Sequence, residues 1–391
     1  MGQRVICVMG RPLDQDDGIG VYTSQLLRNM LTLDPTSRYV ILLRTPKHQR
    51  MFDEFRNADT RVLPARTKTW WDQVVVPAAA RRVKADIILN PKFSLPLVAG
   101  RPGVFVLHGS DWYVNPGNYS WWDNLYIRLM LPIYCAKATK LLSISKRALE
   151  DTVKYAHIDG SKVTLSFAAA APHFTVITDQ AALRDFAAGH QLPPRFILTV
   201  ARAYHTGHGR LPEYPGGNNE TLLRGYRKYR DAGGDLPLVV VGREIERYLR
   251  AHGFDDRTLE GVHFTGFIPN LEIVKAYNLA EFFILATLYE SFPLPLIEAL
   301  STGCPAVVPI TGGCRDLAEE AARYIDPLSP DSIADAMTEL ARSPRLRQQM
   351  RAAGLERAKE FTWRKTAERT LAVLDSIVAP RAGALGSRAA L

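Results

Sequence analysis

Cysteine is scarce in this chain: four residues in 391, Cys7, Cys135, Cys304 and Cys314. They lie far apart or in apolar settings, with none of the close paired spacing that zinc sites use, so reduced and buried thiols are expected. Equally absent is any uninterrupted apolar run of the roughly 18 residues that a bilayer span needs. The opening Arg4-Val5-Ile6-Cys7-Val8-Met9-Gly10 reads as a short strand rather than a signal peptide, which places the expected site of action in the cytoplasm. There is no internal repeat.

What is present is the composition of an ordinary globular protein, 47% hydrophobic and 23% charged, in a chain longer than most single domains. Two domains are expected. The net charge of +9 is unevenly placed: residues 1–170 hold 23 Lys and Arg against 14 Asp and Glu, whereas the remainder is balanced at 26 of each. A one-sided basic surface attracts an anionic partner, such as a membrane face, a phosphorylated lipid or a nucleic acid.

Short apolar runs bounded by turn residues alternate with amphipathic stretches, the pattern of parallel sheets covered by helices. Strands are expected at 4–9, 39–43, 87–90, 104–108 and 140–143, and then at 196–200, 238–241, 262–264, 282–285, 306–308 and 322–325. The fold class is therefore α/β, with two doubly wound parallel-sheet domains. An alanine run, Ala168 to Ala171, with Pro172, Pro193 and Pro194 nearby marks the join. The boundaries follow as 1–167, 168–363, a terminal helix at 364–378, and a tail at 379–391 expected to be disordered. A single long helical stretch is expected from Asp331 to Phe361.

The segment from Phe282 to Leu300 carries the chemistry. A buried strand ends near Ala286, a loop carries Glu290, and Pro295 suits the first turn of a helix that stops at Gly303, with Glu298 about one turn inside it. Such a helix start offers backbone N–H groups and a positive dipole end to a diphosphate at the carboxyl edge of a parallel sheet. Two glutamates eight positions apart, taken alone, equally suit a solvated helix face.

The flanking residues decide between these readings. Glu290-Ser291-Phe292-Pro293-Leu294-Pro295-Leu296-Ile297-Glu298 resembles the signature of glycosyltransferase family 4, a retaining group rich in bacterial mannosyl- and glucosyltransferases. Phe264-Thr265-Gly266-Phe267-Ile268-Pro269 resembles that family's turn beside the nucleotide base. Gly303 to Val308 and Gly312-Gly313-Cys314-Arg315-Asp316 resemble its next strand and glycine turn. In the first half, Asp17-Gly18-Ile19-Gly20-Val21-Tyr22, before a helix expected at Thr23 to Leu33, resembles its glycine loop. His108, at the end of a strand, matches a functional histidine.

The resemblance implies the GT-B fold, two Rossmann-like domains facing a cleft with the C-terminal helix crossing back to the first. It implies a retaining hexosyltransferase using GDP-mannose or a UDP-hexose, with a cell-surface polysaccharide or lipid-linked glycan precursor as acceptor. By the same resemblance Glu298 holds the ribose hydroxyls and Glu290 the donor sugar. The backbone from Ser291 through Phe292 and Pro293 to Leu294 meets the sugar or phosphates, with Gly18, Gly20, Gly266 and Phe267 lining the site. His108, Glu290 and Arg202 are the expected catalytic residues, and Trp71-Asp72-Gln73 and Ser143 to Lys146 the expected scaffold. The family's phosphate-site lysine is missing: Gly217 stands there, after an insertion at 204–216, and Arg210 within it is the candidate replacement.

No metal or other cofactor is expected, because no Asp-x-Asp stands at a suitable strand end; Asp14-Gln15-Asp16 belongs to the glycine loop. Two other readings compete. One is a GT-B sugar epimerase. The other is a basic membrane- or nucleic-acid-binding protein with a vestigial cleft, whose binding would ignore nucleotides and follow salt steeply; the signature from Glu290 to Glu298 argues against the first, and no nucleic-acid partner is expected.

Overall fold

A computed structural model describes residues 3–15, 18–201, 203 and 217–378. The expected tail and the candidate cations Arg202 and Arg210 lie outside the described residues. The chain divides into two compact units: residues 1–109, 121–168 and 363–391 form one, and residues 110–120 with 169–362 form the other.

The first unit is built on seven parallel strands: β1 (Val5–Met9), β2 (Arg38–Leu43), β3 (Ala58–Val62), β4 (Ile87–Asn90), β5 (Gly103–Leu107), β6 (Lys140–Ser143) and β7 (Val163–Leu165). Their order is β3-β2-β1-β4-β5-β6-β7. The five inner strands are the ones announced by apolar runs, since parallel strands covered on both faces need apolar residues throughout. The edge strands β3 and β7 escape that reading. Ala58-Asp59-Thr60-Arg61-Val62 is half-buried throughout and mixes charge with apolar residues, and β7 is three residues long.

The second unit has six parallel strands: β8 (Ile197–Val200), β9 (Leu238–Val241), β10 (Val262–Gly266), β11 (Phe282–Ile284), β12 (Ala306–Pro309) and β13 (Ala322–Ile325). Their order is β10-β9-β8-β11-β12-β13. Phe282 and Phe283 are fully buried, each removing enough apolar surface from water to contribute about 2–3 kcal/mol. Each sheet reverses its winding once, between β1 and β4 and between β8 and β11. The carboxyl edge at such a reversal opens a crevice between diverging connections.

Two helices differ from the sequence reading. The helix expected from Thr23 begins at Gly18 and runs to Leu33, so both loop glycines belong to its first turn. The stretch expected as one helix from Asp331 is two, Pro330–Arg342 and Pro344–Ala358. Pro344 has no N–H to continue the ladder, and the Ser343 hydroxyl caps the second helix by accepting the Leu346 N–H at 3.2 Å. The terminal helix Trp363–Ile377 is part of the first unit, where it packs on the helix Gly18–Leu33 and the Ser166 hydroxyl donates to the Thr366 carbonyl at 3.1 Å. All four cysteines are buried free thiols.

Candidate functional site

In the second unit the crevice at the β8–β11 reversal is bordered by the segment that follows β11. The Leu285 N–H still donates to Val307 O at 2.9 Å, after which the chain leaves the sheet and enters the helix Leu294–Thr302, with Pro293 at its cap position. No side chain caps this helix; Pro293 and Pro295 carry no N–H and the Leu296 N–H donates to Pro293 O at 3.1 Å, which leaves the Leu294 N–H and the positive end of the helix facing outward.

The glutamate loop is held from outside. The Gly313 N–H donates to the Glu290 carbonyl at 3.1 Å. A β-carbon at Gly313 would lie 2.2 Å from the Ser291 carbonyl oxygen and 2.9 Å from that of Glu290. Only glycine allows this approach. The Cys314 thiol, next in sequence, has its pKa pushed well up by burial and then by the Glu290 charge. Ser291 is buried and its hydroxyl donates to the Tyr289 oxygen at 3.2 Å, which also accepts the Ser110 N–H at 3.2 Å. Phe292 meets Phe361 edge-on at 6.0 Å.

Glu298 sits one turn into the helix, where the buried Tyr277 hydroxyl donates to its Oε2 at 3.1 Å. Burial pushes the Glu298 carboxyl up to about 7, against the opposing pull of that hydroxyl. Tyr277 is wedged between Phe174 at 6.0 Å and Phe283 at 5.5 Å, so its hydroxyl direction is set by packing. Glu298 is thereby a pre-oriented carboxyl able to accept from or donate to hydroxyl groups near neutral pH.

At the ends of β9 and β10, Gly266 takes a left-handed φ of 70° and turns out Phe267, which is 56% exposed beneath the Arg243 guanidinium at 4.1 Å. Where the expected lysine is replaced, Asn218 follows Gly217; its amide donates to Ala286 O at 2.9 Å and Pro327 O at 2.6 Å, tying the start of the helix Asn219–Asp231 to the end of β11.

In the first unit, Gly18, Gly20 and His108 gather around the β1–β4 reversal. A β-carbon at Gly20 would lie 1.9 Å from the Gln15 carbonyl oxygen, which the tight entry from β1 into the helix brings back against it. His108 follows β5. Its Nε2 lies 2.6 Å from the Pro91 carbonyl, which can only accept, so Nε2 carries a proton and donates it there. The buried Tyr22 ring meets it edge-on at 4.8 Å. Asp72 is buried, bonded to Ser94 at 3.0 Å and paired with Arg11 at 3.2 Å; Asn90 in turn receives the Lys92 N–H at 3.0 Å and donates to Ser94.

The structure thus groups Glu290, Ser291, Phe292, Pro293, Leu294 and Glu298 on one strand–loop–helix segment, with Gly266 and Phe267 on the same sheet edge, and Gly18, Gly20 and His108 in the other unit. Sequence reasoning missed Tyr277, Tyr289 and Arg243. Arg243 had a signal, lying two positions past a buried strand; Tyr277 had none, because it looks like any core aromatic of a helix. Among the described residues no group of three or more His, Cys, Asp and Glu side chains is placed to hold a metal ion.

Residues 209–357 match the family model for glycosyl transferases group 1, a span that includes the Glu290–Glu298 segment. The serotype-specific mannosyltransferase WbdA of Escherichia coli is 24% identical over 238 residues, which cover 59% of this chain and 28% of WbdA. The chain therefore matches little more than a quarter of that relative's length. A glycosyltransferase from Rickettsia africae superposes with a TM-score of 0.72 at 12% identity, covering 97% of this chain and 100% of that one. HepE of Anabaena, solved with UDP and glucose, gives 0.71 at 13% identity over 96% of this chain and 100% of its own. At these identities the likeness is one of fold, the pair of parallel-sheet Rossmann-like units of GT-B glycosyltransferases.

Proposed function

We propose that this protein is a retaining hexosyltransferase that moves a sugar from a nucleotide diphosphate donor, GDP-mannose or a UDP-hexose, to a polysaccharide or lipid-linked glycan precursor. The observation that carries the reading is the setting of the two glutamates. Glu290 lies on a loop clamped by Gly313, and Glu298 is oriented by Tyr277, with an uncapped helix start between them at a sheet reversal. The family model over the same residues, a mannosyltransferase relative and a fold neighbour solved with UDP and glucose support it.

In this mechanism the acceptor hydroxyl attacks the anomeric carbon from the face that the diphosphate leaves. The carbon–oxygen bond to phosphate breaks as the bond to the acceptor oxygen forms, and the acceptor proton passes to the departing phosphate. Negative charge grows on that phosphate, and the Leu294 N–H with the positive end of the helix Leu294–Thr302 opposes it best in a water-poor site. Arg202, two positions past β8 in sequence, is the assigned cation, with Arg210 second. Glu298 takes the ribose hydroxyls, Glu290 and His108 position the sugar, and Phe267 meets the base.

Thermal unfolding against GDP, UDP, dTDP and ADP tests the reading. One nucleotide at a hundredfold its Kd stabilises by about 2.7 kcal/mol and raises the midpoint above the others. If none does, the donor site is not functional and the proposal fails.

A further inference from the structure

The helix Trp121–Lys137 of the first unit is apolar on two faces. Ile127, Leu131, Tyr134 and Cys135 are buried in the unit, as expected of a helix packed on a sheet. The opposite side is apolar as well: Trp121, Trp122, Leu125, Tyr126, Leu129 and Ile133 are 42–64% exposed. At about 100° per residue these six fall on one arc of about 140°, and no charged residue lies inside it. Arg128 borders the arc on one side and Lys137 on the other, both exposed, while Asp123 falls beyond the Lys137 border. Trp121 and Trp122 stack with ring centroids 3.7 Å apart.

Scattered exposed apolar residues need no explanation, but a continuous stripe of large ones marks a surface that meets something. An apolar arc with two tryptophans and a tyrosine, bordered by cations whose stems cover apolar surface, is the pattern of a helix lying in the plane of a bilayer interface. The rest of the unit agrees in sign. The whole basic excess of the chain falls in residues 1–170, and residues 61–84 carry six Lys and Arg against one acid, the buried Asp72. Self-pairing of the stripe about a two-fold axis would instead bring the bordering cations of two copies together, with no acid on the arc to meet them.

We propose that the face of Trp121–Lys137 formed by these six side chains docks the protein on an anionic lipid bilayer. The apolar arc enters the boundary between headgroups and chains while Arg128, Lys137 and the basic surface of the unit engage lipid phosphates. This goes beyond the transfer reaction and does not depend on it.

The test is co-sedimentation of the full chain with vesicles of phosphatidylcholine alone and of phosphatidylcholine mixed with phosphatidylglycerol. The protein is expected to pellet with the mixed vesicles and only weakly with the neutral ones. Combining Trp122→Gln, Leu129→Gln and Ile133→Gln should lower partition about tenfold or more, and Arg128→Gln with Lys137→Gln about fivefold per charge on mixed vesicles only. An unchanged melting midpoint and an unchanged nucleotide response show that the triple variant is folded; if it is not, Trp122→Gln alone takes its place. Absence of wild-type binding to mixed vesicles overturns the proposal, as does a triple variant that binds like wild type. So does a wild-type dimer that the triple variant dissolves without any vesicle binding.

Discussion

Gly313 and Glu290 are joined backbone to backbone at 3.1 Å, and the missing side chain of Gly313 is what lets the two turns meet. The position of the Glu290 loop therefore depends on a residue 23 places away that carries no chemistry of its own. Gly313→Ala should push the loop off β11, at a cost of about 1–3 kcal/mol in overall stability. Nucleotide affinity and transfer should fall together. A variant with normal nucleotide affinity and a normal melting midpoint would show that the contact is dispensable.

The Tyr277–Glu298 pair predicts a pH dependence. The Glu298 carboxyl has an ordinary value of 4.5 and is raised to about 7 by burial. Between these values the folded protein keeps a proton that the unfolded chain has released, so this group's contribution is fully present below the ordinary value and is lost as pH rises through about 7. Glu298→Gln should remove that loss, on the order of 3 kcal/mol, and flatten the pH profile of urea unfolding across the interval. Tyr277→Phe should steepen it by removing the bond that favours the carboxylate.

Phe267 tests the nucleotide end of the site. An aromatic face stacked on a base is worth about 1–3 kcal/mol. Phe267→Ala should weaken binding of the preferred nucleotide roughly fivefold or more while leaving the melting midpoint of the free protein near that of wild type, because the ring is largely exposed. Calorimetric titration with the nucleotide measures this directly.

Gly20→Ala probes the other unit. Its β-carbon would strike the Gln15 carbonyl oxygen, so the entry into the helix Gly18–Leu33 must shift. Transfer should drop by more than tenfold while nucleotide binding in the second unit changes little. Equal losses in both would argue against separate roles for the two glycine-bearing turns.

His108→Gln keeps an N–H able to reach the Pro91 carbonyl but removes the imidazole ring. Turnover should fall by roughly 10²-fold or more if the ring assists proton movement or positions the sugar, with a smaller effect on stability than His108→Ala. Steady-state kinetics and melting curves on the two variants separate these contributions.

Much of the fold was legible beforehand because covalent spacing carries it. Continuous apolar runs exposed eleven of the strands, and the two that escaped, β3 and β7, are edges whose outer sides need no apolar cover. Pro295 and Gly303 marked the helix that bears Glu298 because one suits a helix start and the other its end. The break at Ser343-Pro344 was readable by the same rule, and the expectation of one long helix there gave too little weight to a missing N–H.

The amino-acid order by itself determined the alternation of strand and helix, the uneven charge, and the eight-position spacing that puts one glutamate on a loop and the other a turn inside a helix. These follow from bond geometry and side-chain type within a few residues. Tertiary structure alone decided the order of strands that places β8 beside β11, the clamp of Gly313 on Glu290, the hydroxyl of Tyr277 on Glu298, and the apolar arc left uncovered on Trp121–Lys137. Each of these depends on where the backbone returns after tens of residues. Burial then set the protonation of Glu298, which no local pattern encodes, because water is removed by the surrounding fold and not by neighbours in the chain.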